Sequence, residues 1–445
     1  MIRRFWNEAI ETIAAVDLRR LERERLREQI AYNYRSSPFY RATLDDAGIA
    51  PADIRHVEDL ARVPFMEKRA IADSQEDGTL LGINQCAPLD EIVRIQATGG
   101  TTGQPMRIGL TRRDVEDYCE TGARALWAMG CRPGDIVFEC MNYNLYSGGV
   151  SDHLTLETVG AATIPFGVGN SERLLAMMAG LKDDLCIWAT PSYAVRLAEV
   201  AEQLGIEPRS VKLRKGFFSG EAGMQVPGYR ERIEAIWGMV ARDQYGTGEL
   251  GIHSGECDEL SGVHFGGTGI VLAELVDPDT GAVLSFEDGV QGEVVYTSLR
   301  RQACPLMRMR SHDLMQVFTE PCRCGRTSFR FRILGRSDDM FIVKGVNVFP
   351  LAIQAVLMKL APRATGEFRI VLDRPPPIDY PVPLTVELAR DVPALLHDEL
   401  RREIAASLRK ELNFTAAVSF VAPGGIATER KTRRVVRTWR GEDVR

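Results

Sequence analysis

Two stretches of the chain hold residue types at spacings suited to chemistry. The first is Ala97-Thr-Gly-Gly-Thr-Thr-Gly-Gln-Pro105, with three glycines and three threonines between the apolar runs at 92–95 and 106–110. Both flanks read as short strands. Glycines let several backbone N–H groups converge on one spot, and threonine hydroxyls add donors around it. Such a loop can cradle a phosphate chain. The same composition also serves as a tight hairpin turn. It is not a Walker loop, because no Gly-Lys-Ser/Thr follows and no helix starts at its end. The second stretch is Cys322-Arg-Cys324, which joins Cys257 and His264 upstream as a Cys₃His set. Four such donors suit a tetrahedral structural zinc with no open position for catalysis. Without a metal they read as reduced loop cysteines and a hydrogen-bonded histidine.

The elements that must position these residues follow from the patterning. Residues 5–33 form an amphipathic helical stretch that closes near Pro38. Short helices are expected at 40–47 and 57–60. Helices at 113–129, 150–160, 174–181, 194–204 and 229–236 alternate with strands at 135–140, 162–165, 185–189 and 212–218. This alternation predicts an α/β fold with parallel sheet covered on both faces. Ligands of such sheets gather beyond the carboxyl ends of the strands. There lie Tyr143, Tyr146 and Gly148, in the stretch after strand 135–140, together with Phe166, Phe217 and Phe218. An aromatic-rich pocket with few polar groups suits a flat aromatic acid, although each ring could equally be plain core. Beyond residue 250 the chain becomes β-rich, with strands at 270–275 and 292–297. After the polar turn at 335–339 comes a smaller α+β unit of order β-α-β-β-α-β, with strands at 340–343, 368–372, 384–388 and 417–421 and helices at 350–360 and 392–412.

The bulk numbers bound the function. The chain has 445 residues, room for two to four domains. Its net charge of −6, from 55 basic and 61 acidic residues, argues against a dedicated nucleic-acid binder. No apolar run approaches the roughly 18–20 residues of a membrane span. The N-terminus lacks the apolar core of a signal peptide, so a cytoplasmic location is expected. Cysteines 86, 119, 131, 140, 186 and 304 have no partner at metal-ligand spacing and are expected to be reduced, buried small hydrophobes.

Read together, five blocks occur in a fixed order: Ala97 to Pro105; Gly220-Glu-Ala-Gly223; Tyr245-Gly-Thr-Gly-Glu249; Arg310-Ser-His-Asp313; and Gly335-Arg-Ser-Asp-Asp-Met-Phe-Ile-Val-Lys-Gly-Val-Asn-Val-Phe-Pro350. On these blocks the chain resembles the phenylacetate–coenzyme A ligase family of AMP-forming, adenylate-forming enzymes. The resemblance extends upstream through Ser37-Pro-Phe-Tyr-Arg41 and Leu60-Ala-Arg-Val-Pro-Phe65, so it covers nearly the whole chain.

The resemblance implies a reaction and a set of roles. A carboxylate attacks the α-phosphate of ATP, pyrophosphate leaves, and a thiol takes the acyl group from the adenylate. Thr98, Gly99, Gly100, Thr101, Thr102 and Gly103 would cradle the phosphates. Glu249 would hold Mg²⁺, for which one carboxylate with phosphate oxygens suffices. Tyr245 would stack near the adenine, with Glu221, Ala222, Gly246 and Thr247 around it. Asp313 would accept both ribose hydroxyls, and Arg336 would contact ribose or phosphate; as an alternative, Asp313 and Arg336 pair as a structural salt bridge. Lys431 would stabilise charge as the adenylate forms, or belong to a solvated basic face with Arg430, Arg433, Arg434 and Arg437. Asp338 would be the hinge between an N-terminal adenylation domain, 1–335, and a small mobile domain, 336–445, with Lys344 and Gly345 just beyond it on the cofactor side. Tyr143, Tyr146, Gly148 and Phe218 would meet the acid. Relatives also show a similar Cys…His…Cys-x-Cys arrangement.

The cofactors implied are ATP, Mg²⁺, coenzyme A and structural Zn²⁺. A homodimer is expected by the same resemblance, and no membrane or nucleic-acid partner. The chain departs from the family pattern at Gln104, where many relatives carry lysine, at Gly248, where they carry Ser or Thr, and at Arg430, where they carry glycine. A carrier-protein thiol or an amine remains open as the acceptor, as does an adenylate-binding protein without catalysis.

Overall fold

The computed structural model describes residues 3–76, 78–98, 105–337, 339–344, 346–375, 377–426 and 434–442. The expected sites Gly99, Gly100, Thr101, Thr102, Gly103, Asp338, Gly345 and Lys431 lie outside the described residues. The chain forms two compact units, Met1–Gly167 with Arg242–Arg332, and Val168–Ala241 with Ile333–Arg445.

In the first unit, the expected N-terminal helix runs Ala15–Ser36 and buries Leu26 and Ile30. The Gly/Thr stretch links the antiparallel strands Ile92–Ala97 and Arg107–Thr111. Thr111 then caps helix Arg112–Ala128 by accepting the Asp114 N–H, while the Asp114 carboxylate accepts the Thr111 N–H in return. This reciprocal cap satisfies donors that a helix start leaves orphaned. The helix is buried along most of its length. Strands Ile136–Glu139 and Ala162–Pro165 pair in parallel, with helix Val150–Val159 as the connection.

The β-rich subregion is antiparallel. Its neighbours run in the order Val283–Leu284, Val271–Val276, Gln291–Ser298, Met309–Phe318, Arg330–Arg336, Val263–Phe265, Gly251–Glu256 and Val240–Thr247. Met309–Phe318 alternates strictly between buried and half-buried residues, the period-two signature of a strand with one face on the core.

The second unit repeats the α/β pattern. Strands Leu185–Ala189 and Leu213–Phe218 pair in parallel, with helices Ser171–Ala179, Pro191–Gln203 and Tyr229–Trp237. Its C-terminal part adds the hairpin Phe341–Val343 with Val346–Val348, and a four-stranded sheet ordered Ala416–Val421, Val382–Leu388, Ala364–Leu372 and Val435–Arg437. Helices Pro350–Met358 and His397–Leu412 cover it. The long helix starts at His397 rather than near Val392 because Pro393 precedes a short 3₁₀ turn, Ala394–Leu396. Phe368, Ile353, Leu400 and Ile404 are fully buried at the centre of this part. No described helix is long and apolar enough to cross a membrane.

Candidate functional site

The Tyr245–Glu249 block is the tip of the hairpin between Val240–Thr247 and Gly251–Glu256. A side chain at Gly246 would collide with the Gly251 carbonyl, so glycine lets the two strands close there. Gly248 has a different reason. A Cβ there would stand 2.9 Å from Thr98 Cγ2 and 3.2 Å from Thr98 Cα. Thr98 therefore occupies the space that the Ser or Thr of relatives would need. Thr98 itself is tied to the far flank of the Gly/Thr stretch by its N–H donating to the Met106 carbonyl at 2.9 Å.

Glu249 is 2% exposed, and Lys68 Nζ stands 2.8 Å from its Oε1. Burial alone would push this carboxyl up. Lys68, with further help from the Thr247 hydroxyl, outweighs burial and holds the group below the ordinary carboxylate range. The hairpin tip is fixed from behind as well. The Glu249 carbonyl accepts from Arg301 at 2.5 Å and from the Tyr118 hydroxyl, and the Gly248 carbonyl accepts from Gln96 at 3.2 Å. Arg301 in turn donates to the Tyr118 oxygen at 2.6 Å. Lys68 opens the short helix Lys68–Ser74, far from Glu249 in sequence. It had no motif to announce it.

Asp313 is presented by an irregularity. Opposite Glu293 and Val295 the strand Met309–Phe318 slips register, placing Arg310 against Val295 and Leu314 against Glu293. Within this bulge His312 takes a left-handed φ of 63°, which re-aims the neighbouring side chains. Ser311 donates to the Val294 carbonyl at 2.6 Å and accepts the Asp313 N–H at 3.0 Å. Arg310 forks onto the fully buried Glu293 with contacts of 3.0 and 2.5 Å. Tyr245 donates its hydroxyl to Asp313 Oδ2 at 2.7 Å and meets His253 and Phe331 edge-on. The expected adenine-stacking ring and the expected ribose carboxylate are thus hydrogen-bonded to each other. Tyr143 sits half-buried and hydrogen-bonds His153 Nδ1 at 3.2 Å, while Tyr146 is 37% exposed.

The metal-ligand set converges. The ligand atoms of Cys257, His264, Cys322 and Cys324 all lie within 4.8 Å of one another. Cys257 and Cys322 sulfurs are 3.7 Å apart, and Cys324 sulfur is 3.3 Å from His264 Nε2. A tetrahedron with zinc–sulfur legs of about 2.3 Å has an edge near 3.8 Å, and a disulfide would need about 2.05 Å. Cys257 donates to Cys324, which lowers the Cys324 thiol and raises its own; His264 lowers Cys324 further. Strand pairing builds the frame: His264 sits opposite Gly255 on one side and Arg330 on the other. Arg330 holds the Ser261 carbonyl at 3.1 Å and the Glu320 carbonyl at 2.5 Å, binding the two cysteine segments together.

In the second unit the expected site residues have structural partners of their own. Glu221 accepts the Ser192 hydroxyl at 2.9 Å and its N–H at 3.3 Å, at the start of helix Pro191–Gln203. Its carboxylate thus serves a helix N-terminus, where negative charge is favoured; Ala222 opens the adjoining 3₁₀ turn Ala222–Gln225. Phe218, expected on the acid pocket, is fully buried like Phe217, at the end of its strand. Absence of a side chain at Gly216 makes room for its ring.

The basic cluster is not a uniform solvated face. Arg434 pairs with the fully buried Glu367 at 2.6 Å, and Tyr229 donates to the same carboxylate at 3.0 Å. Arg437, 8% exposed, donates to the carbonyls of Asp339 and Met340 at 3.2 and 3.1 Å. Arg336 ends its strand and accepts the Met340 N–H at 3.1 Å through its carbonyl. Lys344 is exposed in the tight turn of the following hairpin, with a left-handed φ of 49°.

The Lys68–Glu249 pair yields a prediction. Removing one partner of a buried pair leaves an uncompensated charge, at a cost of about 3–5 kcal/mol. Lys68→Met is expected to destabilise the protein by that order at pH 7. Because the Glu249 pKa is depressed in the folded protein, the pair's contribution is present above the ordinary carboxylate value, about 4.3, and is lost as pH falls through the folded value. Urea unfolding at pH 7 and at about pH 2, well below the ordinary carboxylate value, measures this; an equal loss at both pH values would contradict the assignment.

The profile of the AMP-binding enzyme C-terminal domain matches residues 345–438. The phenylacetate–coenzyme A ligase of Thermus thermophilus is 36% identical over 375 residues, 83% of this chain and 81% of that one. The enzyme of the same name from Escherichia coli is 34% identical over 356 residues, 79% and 78% of the two chains. Among solved structures, 2-hydroxyisobutyryl-CoA ligase in its postadenylation state, with R3-HIB-AMP, superposes with a TM-score of 0.90 at 32% identity, covering 98% of this chain and 93% of that one. The same enzyme with 2-HIB-AMP and CoA in its thioesterification state gives 0.73 at 34% identity, with 98% and 92% covered. The hairpin carboxylate, the bulge aspartate and the C-terminal unit thus stand in a chain that belongs to the phenylacetate–coenzyme A ligase family of AMP-forming acid–CoA ligases.

Proposed function

We propose that the protein activates an aromatic carboxylic acid with ATP and passes the acyl group to coenzyme A. The observation that carries this reading is the ionised, buried Glu249 at a hairpin tip against Thr98, in a chain related over four-fifths of its length to phenylacetate–coenzyme A ligases. A buried carboxylate kept charged by a single lysine is a ready cation ligand. Glu249 would hold Mg²⁺, with the Lys68 ammonium standing where the metal's charge is needed. Bound there, the ion would neutralise charge on the departing pyrophosphate. The chain's own groups would do the rest. Thr98 and the Gly/Thr loop donate to phosphate oxygens. Asp313 exchanges the Tyr245 hydroxyl for the ribose diol, and the freed Tyr245 ring turns to the adenine. Lys431 supplies positive charge as the adenylate forms. Tyr143, Tyr146 and Gly148 border the acid.

The test is product analysis with a panel of aryl acids. Pyrophosphate release followed by an aryl-CoA thioester is expected. Pyrophosphate without thioester, relieved by a carrier protein or an amine, would redirect the second half-reaction. No pyrophosphate release with any acid, from folded protein that still binds ATP, would point to an adenylate-binding protein instead.

The small domain, 336–445, would turn about Asp338 between the two half-reactions. Asp338→Pro is expected to spare pyrophosphate release and abolish thioester formation; equal loss of both would refute the hinge.

The Cys₃His cluster would hold structural Zn²⁺. Its donor set and edge lengths fit, and buried His264 Nδ1 has no hydrogen-bond partner among the described residues. About one zinc per chain is expected after exhaustive dialysis. Less than about 0.2 per chain in unstripped protein would speak against the site.

A further inference from the structure

Two carboxyl groups are buried together beside the loop that borders the acid. Glu139 ends strand Ile136–Glu139 and is fully buried. Asp152 lies in the first turn of helix Val150–Val159 and is 3% exposed. Residues 140–149 join the two, leaving the carboxyl end of the strand and returning through Gly149, the N-cap of the helix. Glu139 accepts the Met141 N–H through Oε1 at 3.1 Å. Glu139 Oε2 and Asp152 Oδ2 have no hydrogen-bond partner among the described residues.

The electrostatics agree with the geometry. Burial pushes the Glu139 carboxyl up to about 7, against the pull of the Tyr143 hydroxyl and the Met141 N–H. Burial, and then Glu139 itself, pushes Asp152 well above the ordinary range. Neighbouring buried carboxyls cannot both ionise, so the pair retains a proton. Each buried acceptor left unpaired costs about 1–3 kcal/mol. With a proton retained by the pair, one of the two oxygens is an acceptor waiting for a donor and the other carries the proton.

One member of the pair also borders the loop expected at the acid. Asp152 Oδ2 lies 3.6 Å from where a Cβ on Gly148 would stand. The Tyr143 hydroxyl is shared between Glu139 and His153, the latter at 3.2 Å, and His153 meets Glu157 at 3.0 Å.

We propose that Glu139 and Asp152 are specificity-determining residues of the acid site, and that they select acids whose acyl portion carries a hydrogen-bond donor: an amine, a hydroxyl or a ring N–H. This rests on the ligase reading and narrows its substrate class. A plain hydrocarbon ring would leave both oxygens unpaired, the situation in which a site built for hydrogen bonds rejects an analogue most strongly.

Paired acids test it: benzoate against the amino- and hydroxybenzoates, and phenylacetate against its 4-amino and 4-hydroxy forms. The measured quantity is the ratio of kcat/KM within each pair, for the unaltered protein and for Glu139→Gln and Asp152→Asn. At least one donor-bearing acid is expected to exceed its parent by about tenfold or more, and the ratio is expected to collapse toward one in both variants. A ratio near or below one throughout the panel would overturn the proposal. So would a preference that survives both substitutions, which would leave the carboxyls as a structural pair. If neither variant folds, the ratios of the unaltered protein decide. If no acid is turned over, the ligase reading fails by itself, and calorimetric binding of the same pairs still decides the pocket's preference.

Discussion

One charge must be kept where water cannot reach it. Glu249 is buried at the tip of a hairpin, and an isolated carboxylate there would simply take up a proton. Lys68 prevents this at a distance of 2.8 Å. The surrounding architecture serves to hold that pair still. Arg301, Tyr118 and Gln96 grip the carbonyls behind it. Glycines at 246 and 248 bring the second strand and Thr98 close. The helix after the Gly/Thr stretch packs on the same strand and supplies Tyr118. Thr98, at the head of the Gly/Thr stretch, and Glu249 are therefore parts of one packing problem.

The two halves of that problem were unequally legible in the sequence. Strands 162–165 and 185–189 coincide with the expected runs, because short apolar segments between helical patterns have few other solutions. The Cys₃His set also comes together as its residue types implied. Helix ends were less legible: Pro393 shortens the last long helix in a way the apolar period does not reveal. Lys68 was invisible, since its meaning depends on a residue nearly two hundred positions away. Phe218 and Glu221 have neighbours that the sequence does not announce: the ring packs over Gly216, and the carboxylate accepts the Ser192 N–H.

The departures from the family pattern also acquire physical content. At Gly248, where relatives carry a hydroxyl, the contact with Thr98 fills the place. The loose Arg310-Ser-His-Asp313 block has its own internal logic. Arg310 neutralises the fully buried Glu293, and Ser311 braces the bulge that turns Asp313 toward Tyr245. A different residue set has reached a well-determined geometry.

The cysteine cluster joins positions far apart along the chain: Cys257 and Cys322 are 65 residues apart and their sulfurs 3.7 Å. An ion shared between them is a cross-link in the topological sense. By loop-closure entropy, closing a loop of that length removes about 4 kcal/mol of freedom from the unfolded chain. Unlike a disulfide, such a link needs no oxidising surroundings and can be undone by a competing chelator. Were zinc held there, as proposed, the folding yield of the β-rich subregion would depend on metal supply, and the cell's metal economy would govern how much ligase is made, upstream of any control over catalysis.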